Sequence, residues 1–282
     1  STRLRRAASR RVTGSDVAGM RTTAVRDGDG WRINGTKTYI TNAVYGNMTI
    51  VAARTSTENR YGITMFLVPA GTEGFSVAKK LDKHGWRCSD TAELVFDNVW
   101  VAADEVLGTV DRGFYETMRN FQNERMVLVG MGVGAAQVAL DQTLEHVQHR
   151  PAFGGHLWDL GAIRQRLAMR QAELDAVRAS MYHAAWIGDV GEDNVKEMSG
   201  VKAYGAEVIN NIMYDCVQFH GGMGCGVGHP HRPHQRHLPH PFLAAVVGGL
   251  HHRTGLQSLL RMLFSNPDAR LISGTNHGTG LV

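Results

Sequence analysis

The sequence predicts an α+β fold, with an antiparallel β-barrel or sandwich domain followed by a helical-bundle domain. Three observations carry this. Residues 15–110 contain short runs rich in β-branched residues, punctuated by Gly, Asn and Pro. From about Gly113 the apolar spacing lengthens from two residues to three and four. The strands come first and the helices follow, so the two kinds of element occupy separate layers.

The elements follow in order. Asp27-Gly28-Asp29-Gly30 is a turn signal, and WRINGTKTYIT after it alternates as a strand does. MTIVAART, GITMFLVP and AELVFDNVWV are further strands. Phe114 to His149 is rich in Met, Leu, Val and Ala and holds no Pro, as a long helix requires. Leu160, Ile163, Leu167, Leu174, Val177, Met181 and Ala185 recur as one face of a second helix, and Val195–Val217 forms a third. After Gly224, GVGHPHRPHQRHLPHPF places five His and four Pro in 17 residues, which no helix accommodates. The expected organisation is an atypical Arg-rich end at 1–13, a β domain at 14–112, a helical domain at 113–225 and an atypical tail at 226–282.

The formal charge of +4 sits in the ends. Residues 1–14 hold five Arg and no acid, and residues 226–282 hold five Arg against Asp268. The body between them carries 20 basic and 25 acidic side chains, which gives nucleic acid no basic face to bind. Three widely spaced cysteines argue against a disulfide framework and for a reducing compartment. No apolar run approaches the roughly 18 residues of a bilayer span, so no membrane span is expected. The Arg-rich N-terminus has the composition of an organellar transit peptide and lacks the apolar stretch of a secretory signal. The His-Pro tract has no ligand-plus-support logic, so no metal site is expected.

Four clusters can carry chemistry. Tyr39-Ile40-Thr41, in the run Asn34–Asn42 that follows Gly14-Ser15-Asp16, offers an aromatic wall and a donor; it also reads as an ordinary strand. Arg150, with Phe153 and Gly154 between two helices, can clamp a phosphate; it also reads as a helix-end cation facing the dipole. Gln218, His220, Gly221 and Gly222 close a helix, where a Gly-rich turn admits a phosphate or simply stops the helix. Gln122-Asn123-Glu124-Arg125 precedes the apolar run MVLVGMGVGAAQVAL, so Glu124 is either a solvated carboxylate or one turned toward an apolar cavity, where burial tunes it as a base.

The order of these pieces settles more than any one of them. GSDVAGMRTTAVRDGDGWRINGTKTYITNA, KLDKHGWRCSDTAELVFDNVWVAADEVLG, NERMVLVGMGVGAAQVALD, HRPAFG and YDCVQFHGGMG resemble the acyl-CoA dehydrogenase family in register, over about residues 14–225. The resemblance implies the family's middle β and C-terminal helical domains, FAD as cofactor, and a homotetramer with FAD touching a neighbouring subunit. By position it implies that Ser15 lies near flavin and thioester, that Tyr39 walls the isoalloxazine, that Thr41 hydrogen-bonds its N5 region, and that Ile40 also contacts the cofactor. Arg150 and Phe153 would meet the FAD pyrophosphate across a subunit boundary, and Gln218, Gly221 and Gly222 would line the adenosine diphosphate. Gln122, Asn123 and Arg125 would border the acyl-CoA entrance. Glu124 stands where the long-chain and isovaleryl types carry their catalytic base, and no Glu follows Glu207 to fill the other family position.

The activity so implied is α,β-dehydrogenation of an acyl-CoA, with an electron-transfer flavoprotein as acceptor and a bacterial cytoplasmic or mitochondrial matrix location, the cytoplasm favoured. An acyl-CoA oxidase, a flavin monooxygenase and a non-catalytic fragment are the alternatives. The chain departs from the family where SRRVT replaces a T-E-P-x-A-like stretch, where Gly161 replaces Gln, and beyond Gly224. A reading-frame error at both ends is expected to account for the first and last of these.

Overall fold

The computed structural model describes residues 4–7, 16–57, 61–83 and 88–225. Eight strands form one sheet: β1 (Leu4–Ala7), β2 (Thr23–Asp27), β3 (Gly30–Thr41), β4 (Met48–Arg54), β5 (Ile63–Pro69), β6 (Phe75–Lys80), β7 (Thr91–Ala102) and β8 (Val106–Leu107). Their order is β6-β7-β3-β2-β4-β5-β8, with β1 beside β4. Gly28, at φ 62°, makes the turn between β2 and β3 that the sequence signalled.

The sheet is mixed, whereas an antiparallel one was expected. β1 pairs with β4 in parallel from Leu4↔Met48 to Ala7↔Val51, and β2 meets β4 in parallel at Thr23↔Arg54. The loop after β3 carries the chain past β2, so β4 enters on the far side running with it. Ile33, Ile40, Val51, Phe66, Val68, Leu94 and Val99 fill the sheet's core. Burying each contributes about 1.5–3 kcal/mol.

Three helices follow: α1 (Gly113–His149), α2 (Gly161–Asp189) and α3 (Val195–His220). Val133, Ala136, Leu140, Leu174, Val177, Ile209, Ile212 and Met213 pack their common core. Gly132 lets α1 approach α3 closely, since a Cβ there would lie 2.6 Å from the Ile209 side chain. Among the described residues α1 is the one helix long and apolar enough to cross a bilayer. Its apolar content has a second physical account, because it supplies Val129 through Val147 to the bundle core. On the second helix the expected face holds at Leu167, Leu174 and Val177, while Leu160 falls before the helix start and is exposed.

A smaller cluster joins the two layers. Val17, Ala18, Met20, Ala52 and Ile63 from the β part pack with Phe114 of α1, and Tyr61 and Phe121 lie against them. The expected tail at 226–282 lies outside the described residues, as does most of 1–13.

Candidate active site

The start of α1 is fixed on the sheet by short-range polar contacts. Asp111 takes φ 63°, its backbone N–H donates to Thr64 Oγ1 at 2.9 Å, and Thr55 Oγ1 donates to its carboxylate at 2.5 Å. Gly113 then abuts β5, where a Cβ would sit 2.9 Å from the Ile63 carbonyl oxygen. Eleven residues on, about three helical turns, α1 presents Glu124.

Glu124 is half-buried, and Asn120, one turn earlier, donates from Nδ2 to its Oε1 at 2.8 Å. At 100° per residue, Asn120, Glu124, Val127, Leu128, Met131 and Val138 share one face of the helix. Its apolar members are exposed. The carboxylate therefore heads an uncovered apolar ridge. Arg125 turns away into the bundle, and burial lowers its pKa from the ordinary value. Lys202 of α3 is lowered as well, first by burial and then by the Arg125 charge. Gln122 is half-buried and Asn123 exposed.

The second group lies on β3. Between Lys37↔Leu94 and Ile40↔Ala92 the register slips by one residue, so a bulge falls at Thr38-Tyr39. Tyr39 sits at φ 60° and is 71% exposed. A left-handed conformation costs a side-chain-bearing residue about 1–2 kcal/mol, yet the bulge holds it. On one side Lys37 is wholly buried and donates to the Ala52 carbonyl at 2.7 Å. On the other Ile40 enters the sheet core. Tyr39 and Thr41 are thus displayed on the same outer side, while the Ile40 side chain faces inward.

The third group closes the bundle's far end. Arg150 caps α1, and β9 (Pro151–Ala152) and β10 (Gly155–His156) form a hairpin whose two-residue turn, Phe153-Gly154, has φ 53° and 82°. The turn leaves Phe153 89% exposed. At the end of α3 the Gly221 N–H bonds back to the Gln218 carbonyl at φ 58°, so the helix-stop reading of this Gly is realised. Among the described residues no side chain crowds Gly221 or Gly222, and Gln218 is exposed. His220 is buried and stacked on His146.

The structure therefore gathers Arg150, Phe153, Gln218, Gly221 and Gly222 at one end and leaves Glu124 and Arg125 far from them. Twenty-six residues of one helix separate Glu124 from Arg150, roughly 39 Å at 1.5 Å per residue. Ser15 lies outside the described residues. Motif reading missed Asn120, Lys202 and His146. The i,i+4 spacing from Glu124 marks Asn120, but no local signal marks the other two.

Comparison with known proteins identifies the two parts of the chain. The acyl-CoA dehydrogenase middle-domain family model matches residues 7–99 and the C-terminal-domain model residues 111–245. The match thus reaches further at both ends than the resemblance at 14–225. The long-chain specific acyl-CoA dehydrogenase of Sus scrofa is 35% identical over 214 residues, 75% of this chain and 50% of that protein. The isovaleryl-CoA dehydrogenase of Solanum tuberosum is 37% identical over 212 residues, 75% and 52% of the two chains. The chain spans about half the length of these curated relatives. The crystal structure of an acyl-CoA dehydrogenase from Geobacillus kaustophilus superposes with TM-score 0.80 at 30% identity, covering 91% of this chain and 68% of that one.

Proposed function

The chain belongs to the acyl-CoA dehydrogenase family, and from that premise we propose that it contributes the middle and C-terminal parts of an FAD-dependent enzyme that oxidises an acyl-CoA thioester to its 2,3-enoyl form. The observation that carries the reading is the half-buried Glu124 carboxylate at the head of the apolar ridge on α1. An acyl chain laid on that ridge would bring its C2 proton toward a carboxylate already oriented by the helix. Glu124 accepts that proton while the C3 hydride leaves, so the two hydrogens depart as proton and hydride. Gln122 and Asn123, on the adjoining turn, are assigned to the entrance, whereas Arg125 points into the bundle toward Lys202.

The residues present fit FAD. Tyr39 and Thr41 offer an exposed aromatic face and hydroxyl on one side of β3. Arg150 offers a fork of donors suited to a pyrophosphate, beside the uncrowded Gly221-Gly222 backbone. When bound, FAD supplies the hydride acceptor at N5. Arg150 lies some 39 Å along α1 from Glu124, a length that one dinucleotide does not span, and Phe153 follows in the hairpin turn just beyond it. This separation supports a homo-oligomer, a tetramer as in the family, in which these residues serve a neighbouring subunit's FAD. We assign an electron-transfer flavoprotein as acceptor. A cytoplasmic or matrix location is assigned on the same ground, with the cytoplasm favoured, since both bacterial and mitochondrial relatives match.

The test is Glu124→Gln in the FAD-loaded chain, mixed anaerobically with acyl-CoA. Flavin bleaching should slow by several orders of magnitude while FAD and acyl-CoA still bind. Near-normal bleaching would remove Glu124 from the reaction.

A further inference from the structure

Asn is a modest helix former, costing about half a kcal/mol or more against Ala in a helix interior. Asn120 nevertheless occupies the interior of α1, half-buried and one turn before Glu124. Its amide is committed to that neighbour, with Nδ2 2.8 Å from Glu124 Oε1. An ionised carboxylate only accepts hydrogen bonds, so the amide must present its NH2 group to it. On the other side of Asn120 the buried Phe114 and Thr117 and the half-buried Phe121 restrict the helix surface. Beyond Glu124 the exposed ridge of Val127, Leu128 and Met131 begins. A donor one turn before the ridge favours the charged form of the carboxylate and restrains its rotamer.

We propose that Asn120 is a positioning residue for Glu124, holding its carboxylate ionised and in one orientation at the head of the apolar ridge. The proposal rests on the reading of Glu124 as the base. The amide also suits the other half of the reaction. Once Glu124 has taken a proton, its carboxyl can donate, and the Asn120 amide can turn its oxygen toward it. One side chain thus serves both protonation states without a new partner entering. Asn120 of α1 donates to Glu124, while the nearby charges Arg125 of α1 and Lys202 of α3 are coupled to each other within the bundle.

The experiment is a pH titration of the full chain carrying 13C at the Glu δ-carbon, with the Glu124 resonance assigned by its loss in Glu124→Gln. It needs no cofactor. Asn120→Asp changes one atom pair and replaces the donor with a charge, and Asn120→Leu removes the donor. The Glu124 midpoint should rise by roughly half a unit to one unit in Asn120→Leu and further in Asn120→Asp. Asn120→Gln, which keeps the amide, should return it toward the parent value. In FAD-loaded protein the acid limb of flavin reduction should move the same way. An unmoved Glu124 midpoint in both Asn120→Leu and Asn120→Asp would overturn the proposal. Rapid flavin reduction by Glu124→Gln would instead sink the base assignment and leave the titration result standing, so the two failures are separable.

Discussion

The imidazole rings of His146 and His220 stack with centroids 4.4 Å apart and planes 21° from parallel, joining the C-terminal ends of α1 and α3. The His220 Nδ1 lies 2.8 Å from the Cys216 carbonyl oxygen. Arg150 and Gly221, both proposed to meet the cofactor, follow within one turn. The stack thus sets the spacing of the far end of the bundle.

Stability should depend on pH through His146. Burial lowers its pKa, and the neighbouring His220 and Arg150 lower it further. The folded protein therefore prefers neutral His146, and the unfolded chain takes up the proton first. The contribution is complete above the unfolded value near 6.5 and is lost as pH falls from there toward the depressed folded value. Tm measured from pH 8 to 5.5 should decline through this window. The decline should be shallower in His146→Phe, and an identical slope in that variant would exclude His146 as its source.

Asp215 should be the costliest single polar substitution in the bundle. Arg166 and Arg170 reach its carboxylate at 2.7 and 2.6 Å, and Arg170 also bonds Glu173 at 2.5 Å. Burial alone would raise the Asp215 pKa, but hydrogen bonds from both arginines and their charges outweigh it and lower the value. Stability from this group is complete above the ordinary Asp pKa near 3.9 and falls as pH drops through the lower folded value. Asp215→Asn leaves the buried Arg170 without its main counter-charge and should cost about 3 kcal/mol in urea unfolding. Arg166, half exposed, should cost about 1 kcal/mol or less on replacement by Ala.

Tyr39 should separate stability from cofactor binding. Its ring packs on little, and its φ of 60° suits Gly. In Tyr39→Gly the relief of strain and the added freedom of the unfolded chain, each about 1 kcal/mol, nearly cancel. The unfolding midpoint should move little while FAD titration shows weaker binding. Unchanged FAD affinity would mean the ring is not the flavin's wall.

Much of the fold was legible because its signals are local. The two-residue period of Trp31–Thr41 and the Gly28 turn foretell β3 and its hairpin, and the unbroken apolar pattern after Gly113 foretells α1 to within one residue. The motif around Glu124-Arg125 identified a candidate base without any contact being known. β2 and β6 were not legible, since their side chains are almost all exposed and show no alternation. The parallel pairings of β4 escaped for another reason, because pairing partners are chosen by chain path and not by the strand's own residues.

The sequence by itself determined the segregated strands and helices, the family's motifs and the residues able to carry chemistry. Tertiary structure decided where those residues lie. It stacked His146 on His220, turned Arg125 toward Lys202, and raised Tyr39 outward on a bulge that Lys37 secures from within. It also set Arg150 some 39 Å along α1 from Glu124. Periodicity and turn chemistry depend on neighbours along the chain, whereas burial, charge coupling and site assembly depend on elements that packing alone brings into contact.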